Sequence, residues 1–105
     1  MKLDEIRVDW SGFKDHAAAR EAEDRLYDVV VANPKLGSYA EAKNLPYREA
    51  RSKMVTLAND HFSEIFRQDP QGISQEWQNY DAVKVKWSTT GSVTFYYLRD
   101  VTEKR

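Results

Sequence analysis

The side chains of this sequence that could carry out chemistry are few and scattered. Asp60, His61 and Glu64 fall within one turn of a predicted helix, a spacing that could hold a metal ion. The chain has no Cys, and the other histidine, His16, is distant, so the favoured interpretation is a partly buried helix histidine among solvated carboxylates. The four glycines lie singly, which leaves no glycine-rich loop for a phosphate group. We therefore expect no catalytic residues, no metal site, no cofactor and no enzymatic activity.

Basic side chains, by contrast, are concentrated in two blocks of the chain, although the net charge is only -1. Residues 29–54 and residues 82–105 each hold five basic and two acidic side chains. Residues 1–28 hold five basic and eight acidic side chains, and residues 55–81 hold one basic and five acidic. The two positive blocks are the parts of the chain suited to contact a polyanion such as DNA.

The first basic block contains an ordered set of helix signals. Ser38 followed by Glu41 is a capping box, which predicts that a helix begins at Ser38. Asn44 can adopt a left-handed backbone that ends this helix, and Pro46 suits the first position of the next. The signals predict two helices joined by a tight turn, over residues 38–44 and 46–67.

The order of small and apolar residues from Leu36 to Met54 resembles that of helix-turn-helix DNA-binding proteins. Four positions match, namely a small residue in the first helix, a turn residue and two later apolar residues: Ala40, Asn44, Leu45 and Ala50. Two positions depart, with lysine where an apolar residue is usual: Lys43 and Lys53. The alternative interpretation of the same stretch is a plain helical hairpin inside an unrelated small domain.

The second basic block has the period-two alternation of a β-hairpin. Val83, Val85 and Trp87 alternate with Lys84 and Lys86, and a polar turn separates them from a second apolar run. Because successive strand residues point to opposite faces, the apolar set should face the core and the two lysines should face outward. The turn leaves the register open, so the aromatic pair beside the lysines is one of two alternatives: Phe95 with Tyr97, or Tyr96 with Leu98.

Upstream of these blocks the sequence predicts one further helix and one strand. Apolar residues recur at helical spacing over residues 15–33, and Asn33-Pro34 ends that pattern. Ile6, Val8 and Trp10 alternate with polar residues, which predicts a strand or an N-terminal arm. We therefore predict a single α+β domain over residues 1–105. It has a three-helix helix-turn-helix core (15–33, 38–44 and 46–67), a C-terminal β-hairpin (82–101) and an N-terminal strand that could join the sheet.

The resemblance to small winged helix-turn-helix proteins implies a sequence-specific, repressor-like DNA-binding regulator of phage, plasmid or bacterial type. Such a protein acts as a homodimer on double-stranded DNA, with the second helix in the major groove and the hairpin as a basic wing. The implied DNA-binding residues are Tyr47, Arg48, Arg51, Ser52, Lys53, Lys84 and Lys86. The competing class is a small protein-binding module, an inhibitor or assembly factor, that uses the acidic middle and the aromatic hairpin. Without Cys or a long apolar run, the chain is expected to be cytoplasmic and not in a membrane.

Overall fold

The computed structural model describes residues 8–104, in which one antiparallel sheet of five strands carries two α-helices. The main elements are α1 (Phe13–Ala22), β1 (Leu26–Asn33), β2 (Gly37–Pro46), α2 (Tyr47–Phe66), β3 (Ile73–Asn79), β4 (Ala82–Trp87) and β5 (Ser92–Asp100). Two short 3₁₀-helices flank them, Trp10–Gly12 and Thr102–Lys104. The strand order across the sheet is β2-β1-β5-β4-β3, so β5 is the central strand.

The core lies between α2 and one face of the sheet. The buried side chains of α2 recur at helical spacing and form one stripe: Tyr47, Ala50, Met54, Ala58 and Ile65. The strands contribute alternate residues to the same cluster, including Val29, Val31, Val83, Val85 and Tyr96. From α1, the buried Ala17 joins this cluster and Phe13 packs against it. Both α-helices therefore lie on the same side of the sheet.

The predicted helix over residues 15–33 is wrong in its second half. Helix α1 ends at Ala22, Asp24 turns the chain with a φ of 57°, and β1 begins at Leu26. The β-branched run Val29–Val31 has little freedom at χ1 in a helix and packs well on a pleated sheet. In the fold this run pairs with β2 on one side and β5 on the other, which decides the outcome.

The predicted helix over residues 38–44 is also wrong, because this stretch is part of β2. It pairs antiparallel with β1 from Asn33↔Gly37 to Leu26↔Pro46. Asn44 does adopt the left-handed backbone, with a φ of 56°, but it lies at an irregularity of β2 and donates its N–H to Asp28 Oδ1 at 3.0 Å. A ladder of backbone hydrogen bonds here outweighs the contribution of a single capping box.

The predicted fold of a three-helix core followed by a hairpin is therefore incorrect. The helix expected over residues 46–67 is α2, and the hairpin expected over 82–101 is the β4–β5 pair. Residues 8–104 form two α-helices instead of three, and three strands in addition to the hairpin, so this range contains no helix-turn-helix. The expected N-terminal strand around Ile6 lies largely outside the described residues, and Trp10 begins a 3₁₀-helix instead. Within residues 8–104 no helix has the length and apolar character needed to cross a membrane.

Candidate nucleic-acid interface

The side of the sheet opposite α2, which we term the open face, carries aromatic and basic side chains. Alternation along β5 defines it: Tyr96 points toward α2, where its hydroxyl lies 2.7 Å from His61 Nδ1, so Phe95 and Tyr97 point the other way. Among the described residues both α-helices pack on the Tyr96 side. No α-helix of the described part of the chain packs on the open face, although Val30 on this face is only 1% exposed.

Phe95 and Tyr97 form an aromatic row along the central strand. Phe95 pairs across the strands with Ala32 and Lys84, and its side chain is 37% exposed. Tyr97 pairs in the same way with Val30 and Ala82. Phe95 is therefore accessible to solvent, and Tyr97 is less exposed than Phe95. A depression of about 380 Å³ lies beside Phe95, lined by Ala32, Asn33, Pro34, Gly37, Ser38 and Phe95 itself.

Basic side chains flank this aromatic row and outnumber the acidic ones three to two. The five charged residues on the open-face positions of β1, β3, β4 and β5 are Lys84, Lys86, Arg99, Asp28 and Glu76. Lys84 Nζ lies 3.1 Å from Glu76 Oε1, and Arg99 Nη2 lies 3.1 Å from Asp28 Oδ2. No ion pair joins Lys86 to another residue within the described range 8–104. Lys86 therefore supplies a positive charge that none of the other residues in this range neutralises.

The Asp28–Arg99 pair shows how the open face holds its charges. Burial raises the pKa of the Asp28 carboxyl, but the Asn44 N–H and the Arg99 guanidinium more than offset this, so its pKa is lowered overall. Asp28 is nearly buried while the Arg99 side chain is 49% exposed. The carboxylate thus anchors Arg99 from below and leaves much of its guanidinium in solvent.

The structure divides the seven predicted DNA-binding residues into two groups, with Lys84 and Lys86 on the open face and the other five on α2. The prediction that Val83 and Val85 face the core opposite these lysines is confirmed, since both valines are buried. The pairing of β4 with β5 places Phe95 and Tyr97, and not Tyr96 and Leu98, on the same face as the lysines. The aromatic row and Arg99 were not among the predicted site residues, although strand alternation was the signal that could have identified them.

The other five predicted DNA-binding residues lie on α2, where Arg48, Ser52 and Lys53 line one depression of about 460 Å³. Tyr47 is 1% exposed and donates its hydroxyl to Asp81 Oδ1 at 2.5 Å. Arg48 donates from Nε to Glu21 Oε2 at 2.6 Å and so links α2 to α1. Ser52 and Lys53 are exposed on α2, whereas Lys84 and Lys86 lie on the opposite side of the sheet.

Arg51, the central residue of the predicted recognition helix, is enclosed by aromatic rings. Its guanidinium carbon lies 4.2 Å from the ring centroid of Phe13, 5.0 Å from that of Trp77 and 5.5 Å from that of Trp10. Its Nε also donates to the Tyr80 carbonyl oxygen at 2.9 Å. These contacts fasten the N-terminal segment and α1 to α2 and to β3. Arg51 therefore has a structural role and is not free to read a base.

No protein-family model, curated protein or solved structure matches this chain. The geometry of the site is therefore the basis for its possible chemistry. The exposed ring of Phe95 and the partly buried ring of Tyr97 can stack on planar groups, and the neighbouring cations can contact anionic groups.

Proposed function

We propose that this protein binds single-stranded nucleic acid across the open face of its sheet. The observation that carries the proposal is the row of Phe95 and Tyr97 on the central strand, with Lys84, Lys86 and Arg99 beside it. Unpaired bases stack on aromatic side chains while lysine and arginine contact the phosphate backbone, and sheet surfaces of this kind bind single strands. The aromatic rings would supply most of the affinity, and the cations would orient the strand.

A single strand suits this surface better than the double-stranded DNA that the sequence implied. Of the α2 residues proposed for the major groove, Tyr47 is buried, Arg48 is paired with Glu21 of α1 and Arg51 is enclosed by aromatic rings. In a duplex, moreover, the faces of the bases are covered by their neighbours, so they cannot stack on Phe95. One protomer presents the whole open face, so binding does not depend on a homodimer. A cytoplasmic location is part of the same proposal.

Fluorescence anisotropy with labelled oligonucleotides of roughly ten nucleotides tests the proposal, since single-strand sites span about 4–16 nucleotides. Single-stranded RNA and DNA of mixed sequence are compared with a duplex of equal length at low and moderate salt. We expect the single strands to bind more tightly than the duplex, with an affinity that falls as salt increases. Equal or tighter binding of the duplex would contradict the proposal.

A matched pair of variants locates the binding surface. Phe95→Leu removes a ring from the open face, and Phe66→Leu removes a ring that is 47% exposed on α2. Loss of one stacked base costs about 1–3 kcal/mol, so Phe95→Leu should weaken single-strand binding by about one order of magnitude. Phe66→Leu should leave it unchanged. If both variants bind like the wild type, the open face is not the binding surface.

A protein partner is the second candidate, because exposed apolar side chains lie beside the edge of β2 that no described strand pairs with. Leu36 is 83% exposed and Tyr39 is 55% exposed, and β2 is an outer strand of the sheet. A free strand edge can add a strand from another chain, or from a second copy of the same chain, which would also give the predicted homodimer. Light scattering of the wild type and of Tyr39→Ser tests the second copy. If the wild type and Tyr39→Ser are both monomers, a second copy of the chain is excluded and the partner would be a different protein.

A further inference from the structure

Next to Tyr97 the open face ends at a pocket of about 450 Å³. Strand β4 begins at Ala82 whereas β5 continues to Asp100, and this difference in length creates a notch in the sheet. Its lining comes from α1, the β3–β4 turn and the two strands: His16, Arg20, Asn79, Tyr80, Asp81, Ala82, Tyr97 and Leu98. The volume falls within the range typical of small-molecule sites, about 300–1,000 Å³.

Hydrogen bonds hold the polar groups of the pocket in place. Asp81 has one carboxylate oxygen 3.0 Å from His16 Nε2, and the other accepts from the buried Tyr47 hydroxyl at 2.5 Å. The backbone N–H of Asp81 donates to Asn79 Oδ1 at 2.8 Å. The His16 ring packs against Tyr80, with their centroids 4.9 Å apart. The pocket is therefore built before any ligand arrives, which lowers the entropic cost of binding.

Arg20 contributes an uncommitted cation to the same pocket. It is half-buried on the last turn of α1, and within the described range it has neither an ion pair nor a hydrogen bond through its side chain. A guanidinium group carries five N–H donors in a rigid planar fork. Arg51, which is also partly buried, does have a partner, and so does the more exposed Arg99. Arg20 is thus available to a ligand.

The mixture of donors and acceptors favours a nucleobase over a phosphate group as the ligand. A phosphate would be repelled by the Asp81 carboxylate, whereas a base edge presents both donors and acceptors. Guanine fits the mixture best: its O6 and N7 accept from an arginine fork, and its N1–H and N2–H groups can donate to a carboxylate. Each Asp81 oxygen keeps lone-pair capacity beyond its present hydrogen bond. The amide NH₂ of Asn79 supplies a further donor.

We propose that this pocket binds one unstacked guanine base of the strand that lies on the open face, an inference that rests on the function proposed above. The neighbouring Tyr97 stacks the adjacent base, and Arg20 and Asp81 read the guanine edge. Sequence-specific recognition of single strands generally uses splayed-out bases of this kind. The protein would then prefer strands that contain a guanine at one position.

Anisotropy titrations with single-stranded oligouridines that differ at one central base provide the test. The central base is uracil, adenine, cytosine or guanine, and the guanine oligonucleotide should bind at least about fivefold more tightly than the others, given the discrimination of a bidentate arginine contact. Arg20→Gln should abolish this preference, so that the guanine oligonucleotide binds no more tightly than plain oligouridine. Arg67→Gln is the matched control, because the Arg67 side chain is 75% exposed and pairs only with Glu64 among the described residues. Circular dichroism checks that both variants fold.

Titration with free guanosine separates failure of this inference from failure of the proposed function. The imidazole resonances of His16 and His61 are followed by NMR, and guanosine should shift the His16 signals in a saturable way while His61, bonded to Tyr96, stays unmoved. Adenosine and cytidine should shift His16 less. Strands that bind without base preference, together with an unmoved His16, overturn the pocket assignment and leave the proposed function standing. If no single strand binds, the proposed function is wrong. The inference that the guanine belongs to a bound strand is then wrong as well.

Discussion

Neighbouring residues of the same strands point to opposite faces of the sheet, and the two faces differ in burial and in composition. On the covered face Val29, Val83 and Val85 are fully buried against α2. On the open face the residues that alternate with them include Lys84, Phe95 and Arg99, which reach solvent. A one-residue shift in register would exchange the two sets. Strand alternation therefore separates the residues that form the core from those that reach solvent.

Polar groups also differ between the two faces. On the covered face the Tyr96 hydroxyl meets His61, and burial, with smaller contributions from Tyr39 and Glu41, raises the pKa of Tyr96 to about 12. On the open face the polar groups are charged and form ion pairs at the surface, such as Lys84 with Glu76. Neither member of this pair is fully exposed, since 23% of the Lys84 side chain and 16% of the Glu76 side chain reach solvent. The pair fixes the position of the Lys84 cation on the open face.

The largest expected effect comes from truncating the covered face. Met54 has no exposed surface, and Met54→Ala should lower the free energy of unfolding by about 2–5 kcal/mol, because it removes apolar contacts and leaves a cavity. Phe95→Leu on the open face should change it by less than about 0.5 kcal/mol. Urea denaturation measures both. Equal destabilisation by the two variants would contradict the conclusion that the core lies on the covered face.

The next largest effect separates the two arginines of α2 that the sequence assigned to DNA. Arg51→Ala loses three ring contacts and a hydrogen bond to Tyr80, so it should cost about 1–3 kcal/mol of stability. Arg48→Ala loses only an exposed pair with Glu21 and should cost less than about 1 kcal/mol. Thermal unfolding of both variants checks this order, and the reverse order would argue against the structural role of Arg51.

A smaller effect should appear in the pH dependence of stability. Burial lowers the pKa of His61 below its ordinary value of 6.5, so the folded state favours the neutral imidazole. The unfolded chain takes up the proton first, and stability that is complete above pH 6.5 should therefore decline as the pH falls below it. The lowered pKa values of Asp28, Asp69 and Asp100 act only in a more acidic range, below their ordinary 3.8.

His61→Gln is the variant that isolates this contribution, because it keeps a hydrogen-bonding group near Tyr96 and cannot take up the proton. Urea midpoints measured between pH 7 and pH 5 bracket the ordinary histidine pKa of about 6.5. The decline should be present in the wild type and reduced in His61→Gln. An unchanged slope in the variant would assign the decline to other groups.

The smallest effect on stability, and a clear one on binding, is expected from the lysines. Lys86→Ala should change the free energy of unfolding by less than about 0.5 kcal/mol. If Lys86 contacts a phosphate, the slope of log affinity against log salt for a single strand should decrease by about 0.7. Lys53→Ala, an exposed lysine on α2, should leave that slope unchanged. A larger loss with Lys53→Ala would favour the helix over the sheet as the contact surface.

The sequence alone determined those elements whose signals are both local and periodic. The apolar stripe of α2 predicted a helix close to its actual bounds of Tyr47–Phe66, and the alternation of Val83, Lys84 and Val85 predicted a strand with its buried side correctly assigned. Asn44 was correctly expected to have a left-handed backbone. These outcomes follow from side-chain period and backbone sterics, which do not depend on distant residues.

Tertiary pairing decided the rest. Residues 26–46 carry helical signals, but β1 lies between β2 and β5, and the hydrogen bonds and burial gained on both sides come from residues far away in the chain. The same pairing placed Phe95 beside Lys84 and brought Arg20 and Asp81 into one pocket. Local propensities differ by at most about 1 kcal/mol per residue, whereas burying a Val or Leu side chain contributes about 1.5–3 kcal/mol. The sheet therefore forms where the local pattern favoured helices, and both proposed sites exist only because of it.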